Sequence, residues 1–170
     1  MKKFIPDLYV TNIHQIKPKD LKKRGIEGVL TDLDNTLVRW DEPATTQEVI
    51  QWFKELNDEG IKVVIISNNN EIRVKEFADP MNVSFIHKAR KPLKKGFVTG
   101  LKMLQLPANK TAVIGDQVLT DVLGGNRMGM YTILVDPIGE KEFLMTKFNR
   151  RIEKRIVRHL FKKGLISWTR

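Results

Sequence analysis

Short apolar runs alternate with amphipathic segments along most of this chain. The apolar runs are rich in Val and Ile and too short for helices, which is typical of strands buried on both faces of a sheet. The segments between them carry apolar residues at helical spacing. In 46–58, for example, a broad apolar stripe ends at Gly60, a residue that commonly stops a helix. This alternation predicts an α/β fold with a parallel sheet.

The predicted elements fall into three regions of the chain. We expect strands at 26–32, 62–66, 83–86, 111–115 and 131–135, and helices at 46–58, 71–78, 93–104 and 121–128. Together they predict a three-layer α/β/α domain, with a Rossmann-like parallel sheet, over 26–139. We expect residues 1–25 to form an extension that packs on this core, and 140–170 to form a basic segment of two helical pieces.

Acidic and polar residues follow the first predicted strand directly. The apolar run leads into Asp32 and Asp34, and then into Thr36. Two close carboxylates repel each other, so they persist most easily with a bound cation or with one of them protonated. The same residues also suit an ordinary turn in which Thr36 caps the next segment. The acidic pair alone therefore leaves catalysis and turn chemistry open.

Three further strand ends carry polar groups. Ser67 and Asn68 follow the second strand, where a hydroxyl can donate to a phosphate oxygen or cap a helix. Lys91 precedes a proline that suits the first turn of a helix, a position where anions are favoured. It lies among other basic residues, so the pattern alone also allows a solvated charge. Asp116 ends the fourth strand and Asp121 follows five residues later.

The order and spacing of these groups are specific. Ser67 lies 35 residues after Asp32, Lys91 a further 24 residues on, and Asp116 a further 25 residues on. This order resembles the four motifs of the haloacid dehalogenase superfamily of phosphohydrolases, and the resemblance covers roughly 26–136. We therefore expect a phosphatase of this type.

A narrower resemblance rests on the residues around the last motif. The run Gly115-Asp116-Gln117, with Thr120-Asp121 and then Gly124-Gly125-Asn126-Arg127, is similar to subfamily IIIA and its YqeG-type phosphatases. The wider group includes mitochondrial phosphatidylglycerophosphate phosphatases.

The resemblance implies a catalytic role for each motif residue. Asp32 would attack phosphorus and form an aspartyl phosphate, and Asp34 would serve first as acid and then as base. Ser67, Asn68 and Lys91 would hold the phosphate oxygens and offset their charge.

The resemblance also implies a Mg²⁺ site. Asp32, Asp116 and the backbone carbonyl of Asp34 would supply oxygen ligands, which this ion prefers. Asp121 and Thr36 would orient these ligands without binding the metal.

The gaps between the motifs imply a capless core with an open site. A helix fills most of the 35 residues before Ser67, and the 24 residues after it are also too few for a cap domain. An open site favours a phosphate carried on a larger molecule, of which phosphatidylglycerophosphate is one example. The alternative is a non-catalytic module on the same fold that binds nucleic acid or regulates a partner. Mg²⁺-dependent hydrolysis of an aryl phosphate distinguishes the two.

Composition and charge restrict the possible chemistry and the possible binding partners of the chain. The 170 residues contain no cysteine, which excludes disulfides and thiol chemistry. The net charge is +10, and residues 140–170 carry ten Lys or Arg against three Glu. This basic segment could meet an anionic membrane surface or RNA, or could simply pack on the domain with a solvated face. All four motifs end by Asp121, so we expect 149–170 to supply no catalytic group.

The chain shows neither a secretory signal nor the roughly 20 consecutive apolar residues of a spanning helix. We therefore expect a cytoplasmic protein without a transmembrane segment, and the basic segment could hold it peripherally at a membrane.

Overall fold

A computed structural model gives the architecture, and it describes residues 2–42, 44–139 and 144–168, without the side chains of 144–148. In this part of the chain six strands form one parallel sheet in the order β1-β6-β5-β2-β3-β4. The strands are β1 (Leu8–Val10), β2 (Gly28–Thr31), β3 (Lys62–Ile66), β4 (Ser84–Ile86), β5 (Thr111–Gly115) and β6 (Tyr131–Val135).

Helices connect and cover these strands. They are α1 (Pro18–Lys23), α2 (Gln47–Asp58), α3 (Glu71–Ala78), α4 (Lys94–Leu104), α5 (Leu123–Met128) and α6 (Leu144–Lys162). Side chains of α1, α2 and α3 pack on one face of the sheet, and those of α4 and α6 pack on the other. The predicted three-layer α/β/α architecture with a Rossmann-like sheet is confirmed.

The central strands are buried on both faces. Along β2, Val29 belongs to one apolar core and Leu30 to the other, because successive side chains point to opposite sides of a sheet. The same alternation holds in β5, where Ile114 and Val113 divide between the two cores. The continuous apolar runs therefore correctly predicted strands that are buried on both faces.

Strand β1 was not predicted from the sequence. It lies within the expected N-terminal extension, and it pairs in parallel with β6 so that Leu8 lies opposite Ile133. Its three residues are only half-buried at the edge of the sheet. So short a strand leaves no periodic pattern to read.

Helix α5 begins later than predicted. The sequence placed a helix at 121–128, whereas Val118–Val122 forms a π-helical turn and the α-helix starts at Leu123. π-Helical turns often occur at functional sites, and this one contains Asp121.

The second helical piece predicted in the basic segment is found as α6. Residues 140–143, which precede α6, lie outside the described part of the chain, so the first piece stays a prediction. The sequence predicts an apolar repeat at Phe148, Ile152, Ile156 and Leu160, with Val157 and Phe161 beside it. Among the described side chains of α6, Leu160 and Val157 are buried together with Glu153, whereas Ile152 and Ile156 are half-buried and Phe161 is exposed. Among the described helices, none is both long and apolar enough to cross a membrane.

The topology brings the motif residues to one edge of the sheet. Because β2 pairs in parallel with both β3 and β5, the carboxyl ends of these three strands lie side by side. Asp32, Ser67 and Asp116 each come just after one of these ends. In the described residues between β2 and β4, the helices are α2, α3 and one short 3-10 turn, so no domain covers this edge from the connections.

Candidate active site

A buried lysine joins two of the predicted site carboxylates. Lys91 Nζ donates to Asp32 Oδ1 at 2.6 Å and to Asp121 Oδ1 at 2.7 Å. All three side chains are buried. Burial alone would lower the pKa of Lys91, but the ion pairs with Asp121 and Asp32 outweigh it and raise the pKa above its usual value. The lysine is therefore a fixed positive charge.

Three buried acids, here called the acidic cluster, lie close together beside this lysine. Asp32, Asp116 and Asp121 can each present a carboxylate oxygen within 4.8 Å of the other two. Burial raises the pKa of Asp32 and of Asp116 to about 6, against the opposing charges of Lys91 and Arg150. Burial raises the pKa of Asp121 as well. A cation would relieve this strain on the ionised forms, and hard oxygen ligands fit Mg²⁺.

Thr36 lies between two of these acids. Its hydroxyl is 3.2 Å from Asp32 Oδ2 and 3.4 Å from Asp116 Oδ1, so these two oxygens lie on either side of the same group. The hydroxyl can donate to only one of them at a time. The arrangement brings one oxygen of Asp32 and one of Asp116 to a common point.

Asp121 accepts three hydrogen bonds within the protein. Lys91 donates to its Oδ1, while the Gln117 N–H at 3.1 Å and the Thr120 hydroxyl at 3.2 Å donate to its Oδ2. Gly115 leaves the space for it, because a Cβ at this glycine would overlap the Asp121 side chain. The two oxygens of Asp121 accept from three separate donors, whereas Asp32 Oδ2 and Asp116 Oδ1 share the single Thr36 hydroxyl. Asp121 is therefore better suited to orienting its neighbours than to binding a metal.

The side chain of Asp34 is bonded by residues outside the group of Asp32, Asp116 and Asp121. Arg73 Nε donates to its Oδ1 at 3.0 Å, and Asn69 Nδ2 donates to its Oδ2 at 3.0 Å. Arg73 also donates to the carbonyl of Arg39 at 3.1 Å. The predicted acid–base residue is thus held in place by α3 and the loop before it. Arg73 was not predicted as a site residue, because it lies in none of the sequence motifs.

An open cavity of about 270 Å³ brings the phosphate-binding candidates together with both motif aspartates. Ser67 is buried, and its hydroxyl accepts from the Asn69 N–H at 3.0 Å. Asn68 is exposed, and its side chain bonds the backbone N–H and carbonyl of Lys91 at 2.7 and 3.2 Å. The cavity is lined by Asp32, Asp34, Asn35, Trp40, Ser67, Asn68, Asn69, Lys91, Gln117 and Thr120.

An arginine of the basic segment also reaches the site. Arg150 Nη1 donates to the backbone carbonyl of Asp116 at 2.6 Å, and its Nη2 donates to Asp116 Oδ2. The sequence placed no site residue beyond Asp121, because in a run of arginines nothing distinguishes Arg150 from its neighbours. It was found only through the docking of α6.

Comparison with known proteins agrees with the fold. The model of the haloacid dehalogenase-like hydrolase family matches residues 3–129. The chain is 52% identical over 165 residues to "Probable phosphatase YqeG" of Bacillus subtilis (strain 168), which covers 97% of this chain and 96% of that protein. It is 25% identical over 175 residues to "Phosphatidylglycerophosphate phosphatase 1, chloroplastic/mitochondrial" of Arabidopsis thaliana, covering 95% of this chain and 49% of that protein.

A solved structure shows the same fold at low identity. The cobalt-bound form of deoxy-D-mannose-octulosonate 8-phosphate phosphatase (YrbI) from Haemophilus influenzae aligns with a TM-score of 0.53 and 16% identity, over 86% of this chain and 96% of that one. The chain belongs to the haloacid dehalogenase-like hydrolases. The predicted enzyme class, a phosphatase, is confirmed by the same relatives.

Proposed function

We propose that this chain is a Mg²⁺-dependent phosphomonoester hydrolase that acts through an aspartyl phosphate on Asp32. One observation carries the proposal: Asp32 lines an open cavity together with Ser67, and Lys91 Nζ lies 2.6 Å from its carboxylate. A phosphate in this cavity would meet a nucleophile, a hydroxyl donor and a buried cation within one small space.

Two displacements account for hydrolysis. In the first, a carboxylate oxygen of Asp32 forms a bond to phosphorus, the ester P–O bond breaks, and the leaving oxygen takes a proton from Asp34. In the second, Asp34 takes a proton from water, the water oxygen attacks phosphorus, and the bond to Asp32 breaks to release inorganic phosphate. Ser67, Asn68 and Lys91 are the groups proposed to hold the phosphoryl oxygens during both steps.

The metal site is proposed on Asp32, Asp116 and the backbone carbonyl of Asp34, with Asp121 and Thr36 orienting the carboxylates. A bound Mg²⁺ would offset charge on the phosphoryl oxygens. The hydrogen bonds support this assignment, because Asp32 Oδ2 and Asp116 Oδ1 approach one shared Thr36 hydroxyl, whereas the oxygens of Asp121 accept from three separate donors.

The proposed substrate is a phosphate presented on a bulky molecule or a surface. The cavity is open, and the described connections on either side of β3 hold no inserted domain that would enclose a small metabolite. The 25%-identical Arabidopsis protein is named for phosphatidylglycerophosphate, which makes this anionic lipid the first candidate to test.

The basic face of α6 is proposed to bring the enzyme from the cytoplasm to an anionic membrane surface. Arg151, Arg155 and Arg158 are exposed on this helix, on the side away from its buried Val157. Basic residues near an anionic surface each contribute about 1 kcal/mol of attraction, which salt screens.

Two assays test the proposal. Purified enzyme should release phosphate from p-nitrophenyl phosphate in millimolar Mg²⁺ and lose this activity with chelator, and it should release phosphate from vesicles that contain phosphatidylglycerophosphate. If neither substrate is hydrolysed at any Mg²⁺ concentration while the protein binds RNA, the chain is a non-catalytic module and the proposal is wrong.

A further inference from the structure

The contact between α6 and the acidic cluster is more than a surface ion pair. The side chain of Arg150 is 12% exposed and that of Asp116 is fully buried. The guanidinium engages both the carbonyl and the carboxylate of Asp116, which makes the contact two-pronged. Arginine presents a rigid planar fork, so such a contact fixes orientation as well as charge.

The two oxygens of Asp116 have different partners. Oδ2 accepts from Arg150, whereas Oδ1 lies 3.4 Å from the Thr36 hydroxyl that also reaches Asp32. Oδ1 is thus the oxygen of Asp116 that shares a neighbour with Asp32, and Arg150 contacts the other oxygen. Oδ1 is also the oxygen that a metal shared by Asp32 and Asp116 would use.

Arg150 also donates to Glu153, which in turn accepts from the backbone before Asp121. Its Nη1 donates to Glu153 Oε2 at 3.1 Å, and Glu153 Oε1 accepts from the Leu119 N–H at 2.9 Å. Leu119 lies in the π-helical turn that leads from Asp116 to Asp121. Val157 of the same helix packs against Val118 and Val122 of that turn. Helix α6 thus contacts the 116–122 segment, which carries Asp116 and Asp121, both at Asp116 and in the π-helical turn.

We propose that Arg150 is a positioning residue for Asp116, so that docking of the C-terminal helix builds the metal site. This inference rests on the proposed function, because it assigns a metal ligand role to Asp116. It extends that function by making a residue outside the four motifs necessary for metal affinity.

A competing interpretation of Arg150 predicts the opposite change in Mg²⁺ affinity when the arginine is replaced. If the guanidinium simply occupied the place of the metal, its removal would free Asp116 and strengthen metal binding. If it positions Asp116, its removal leaves a buried carboxylate free to rotate and weakens metal binding, as loss of a residue that orients a ligand commonly does. The direction of the change in affinity decides between the two.

The test measures binding of Mg²⁺ alone, without substrate, by isothermal titration calorimetry on the full chain. Arg150→Met should weaken Mg²⁺ binding by about 10- to 100-fold relative to wild type. The matched control is Arg151→Met, which removes the same charge from an exposed position on the same helix and should leave the affinity unchanged. Arg150→Lys should lie between wild type and Arg150→Met, because it keeps the charge but loses the fork.

A kinetic readout separates positioning from loss of fold. Activity of Arg150→Met on p-nitrophenyl phosphate should recover at high Mg²⁺, so that the Mg²⁺ concentration for half-maximal rate rises more than kcat falls. Where Arg150→Met does not fold, Arg150→Lys and Glu153→Gln replace it, and each should weaken Mg²⁺ binding measurably.

Each outcome has a defined meaning. Unchanged or tighter Mg²⁺ binding in the folded Arg150 variants, with wild type binding Mg²⁺, overturns the positioning role and leaves the proposed function standing. Absence of Mg²⁺ binding and of Mg²⁺-dependent activity in wild type overturns the proposed function and the inference with it.

Discussion

Arg73 Nε lies 3.0 Å from Asp34 Oδ1, which ties the predicted acid–base residue to the helix that follows β3. The arginine is largely buried, with 11% of its side chain exposed, and it also donates to the carbonyl of Arg39. The position of Asp34 therefore depends on a residue 39 positions further along the chain.

Replacing Arg73 should slow catalysis without removing the metal site. Arg73→Met frees the Asp34 side chain, and misplacement of a catalytic group costs rate, so we expect kcat to fall by about 10-fold or more. Steady-state kinetics on p-nitrophenyl phosphate measure this change. The control is Lys75→Met on the exposed side of α3, which should behave as wild type. Equal kcat in the two variants would exclude the positioning of Asp34 by Arg73.

Removal of the buried lysine should destabilise the fold. Lys91→Met leaves the carboxylates of Asp32 and Asp121 buried without their shared cation, a change that typically costs about 3–5 kcal/mol. Urea unfolding in chelator measures the free energy of unfolding, with the exposed Lys95→Met as control. Adding Asp32→Asn to Lys91→Met should restore part of the stability, because it removes one of the two unpaired charges. A loss below about 1 kcal/mol in Lys91→Met would contradict this account.

The acidic cluster also predicts a pH dependence. The pKa values of Asp32 and Asp116 rise from 3.8 to about 6 on folding because both groups are buried. The folded state therefore binds protons more tightly than the unfolded state between pH 4 and 6. The free energy of unfolding of the metal-free protein should consequently fall as pH rises through this window.

Mg²⁺ should reverse that trend, because it needs the ionised carboxylates. We expect a larger increase in Tm on adding Mg²⁺ at pH 7.5 than at pH 5, measured by differential scanning calorimetry. A hundredfold excess over the dissociation constant corresponds to about 2.7 kcal/mol. Asp116→Asn is the control and should lose most of the Mg²⁺ effect at both pH values. An equal Mg²⁺ shift at both pH values in wild type would argue against binding at these acids.

The exposed arginines of α6 should matter for surface binding and not for chemistry. Changing Arg151, Arg155 and Arg158 to Gln together should leave hydrolysis of p-nitrophenyl phosphate near normal. The same change should weaken co-sedimentation with anionic vesicles, and wild-type binding should fall steeply with added salt. Binding of wild type to RNA but not to vesicles would replace the membrane with nucleic acid as the partner. Binding to neither at low salt would leave α6 as a packed helix with a solvated face.

Much of the site could be predicted from the sequence because its residues follow the ends of recognisable strands. Asp32, Ser67 and Asp116 follow apolar runs that read clearly as buried strands, and parallel pairing then brings the ends of those strands together. Lys91 follows the short strand β4, and it reaches Asp32 with its long side chain. Local pattern and topology were sufficient for Asp32, Ser67 and Asp116, whereas only the family resemblance distinguished Lys91 from its basic neighbours.

The contacts of Arg73 and Arg150 with the site could not be predicted from the sequence in this way. Both lie on or near helices, and the direction that each side chain takes depends on how the helix docks rather than on any local pattern. On α6 the predicted Val157 and Leu160 are buried, but Glu153 is buried as well, and a hydrophobic repeat cannot predict a buried carboxylate. The edge strand β1 was missed because three half-buried residues carry too little signal.

Substitution of Asp32 by Asn tests the central claim most directly. The change keeps the size of the side chain and removes the proposed nucleophile, so the variant should fold and should release no phosphate from p-nitrophenyl phosphate in saturating Mg²⁺. In the same experiment, mass spectrometry of acid-quenched wild-type enzyme should find a phosphoryl group on the peptide that contains Asp32, and none on the variant. Turnover at the wild-type rate by purified Asp32→Asn would show that another group attacks phosphorus and would contradict the account.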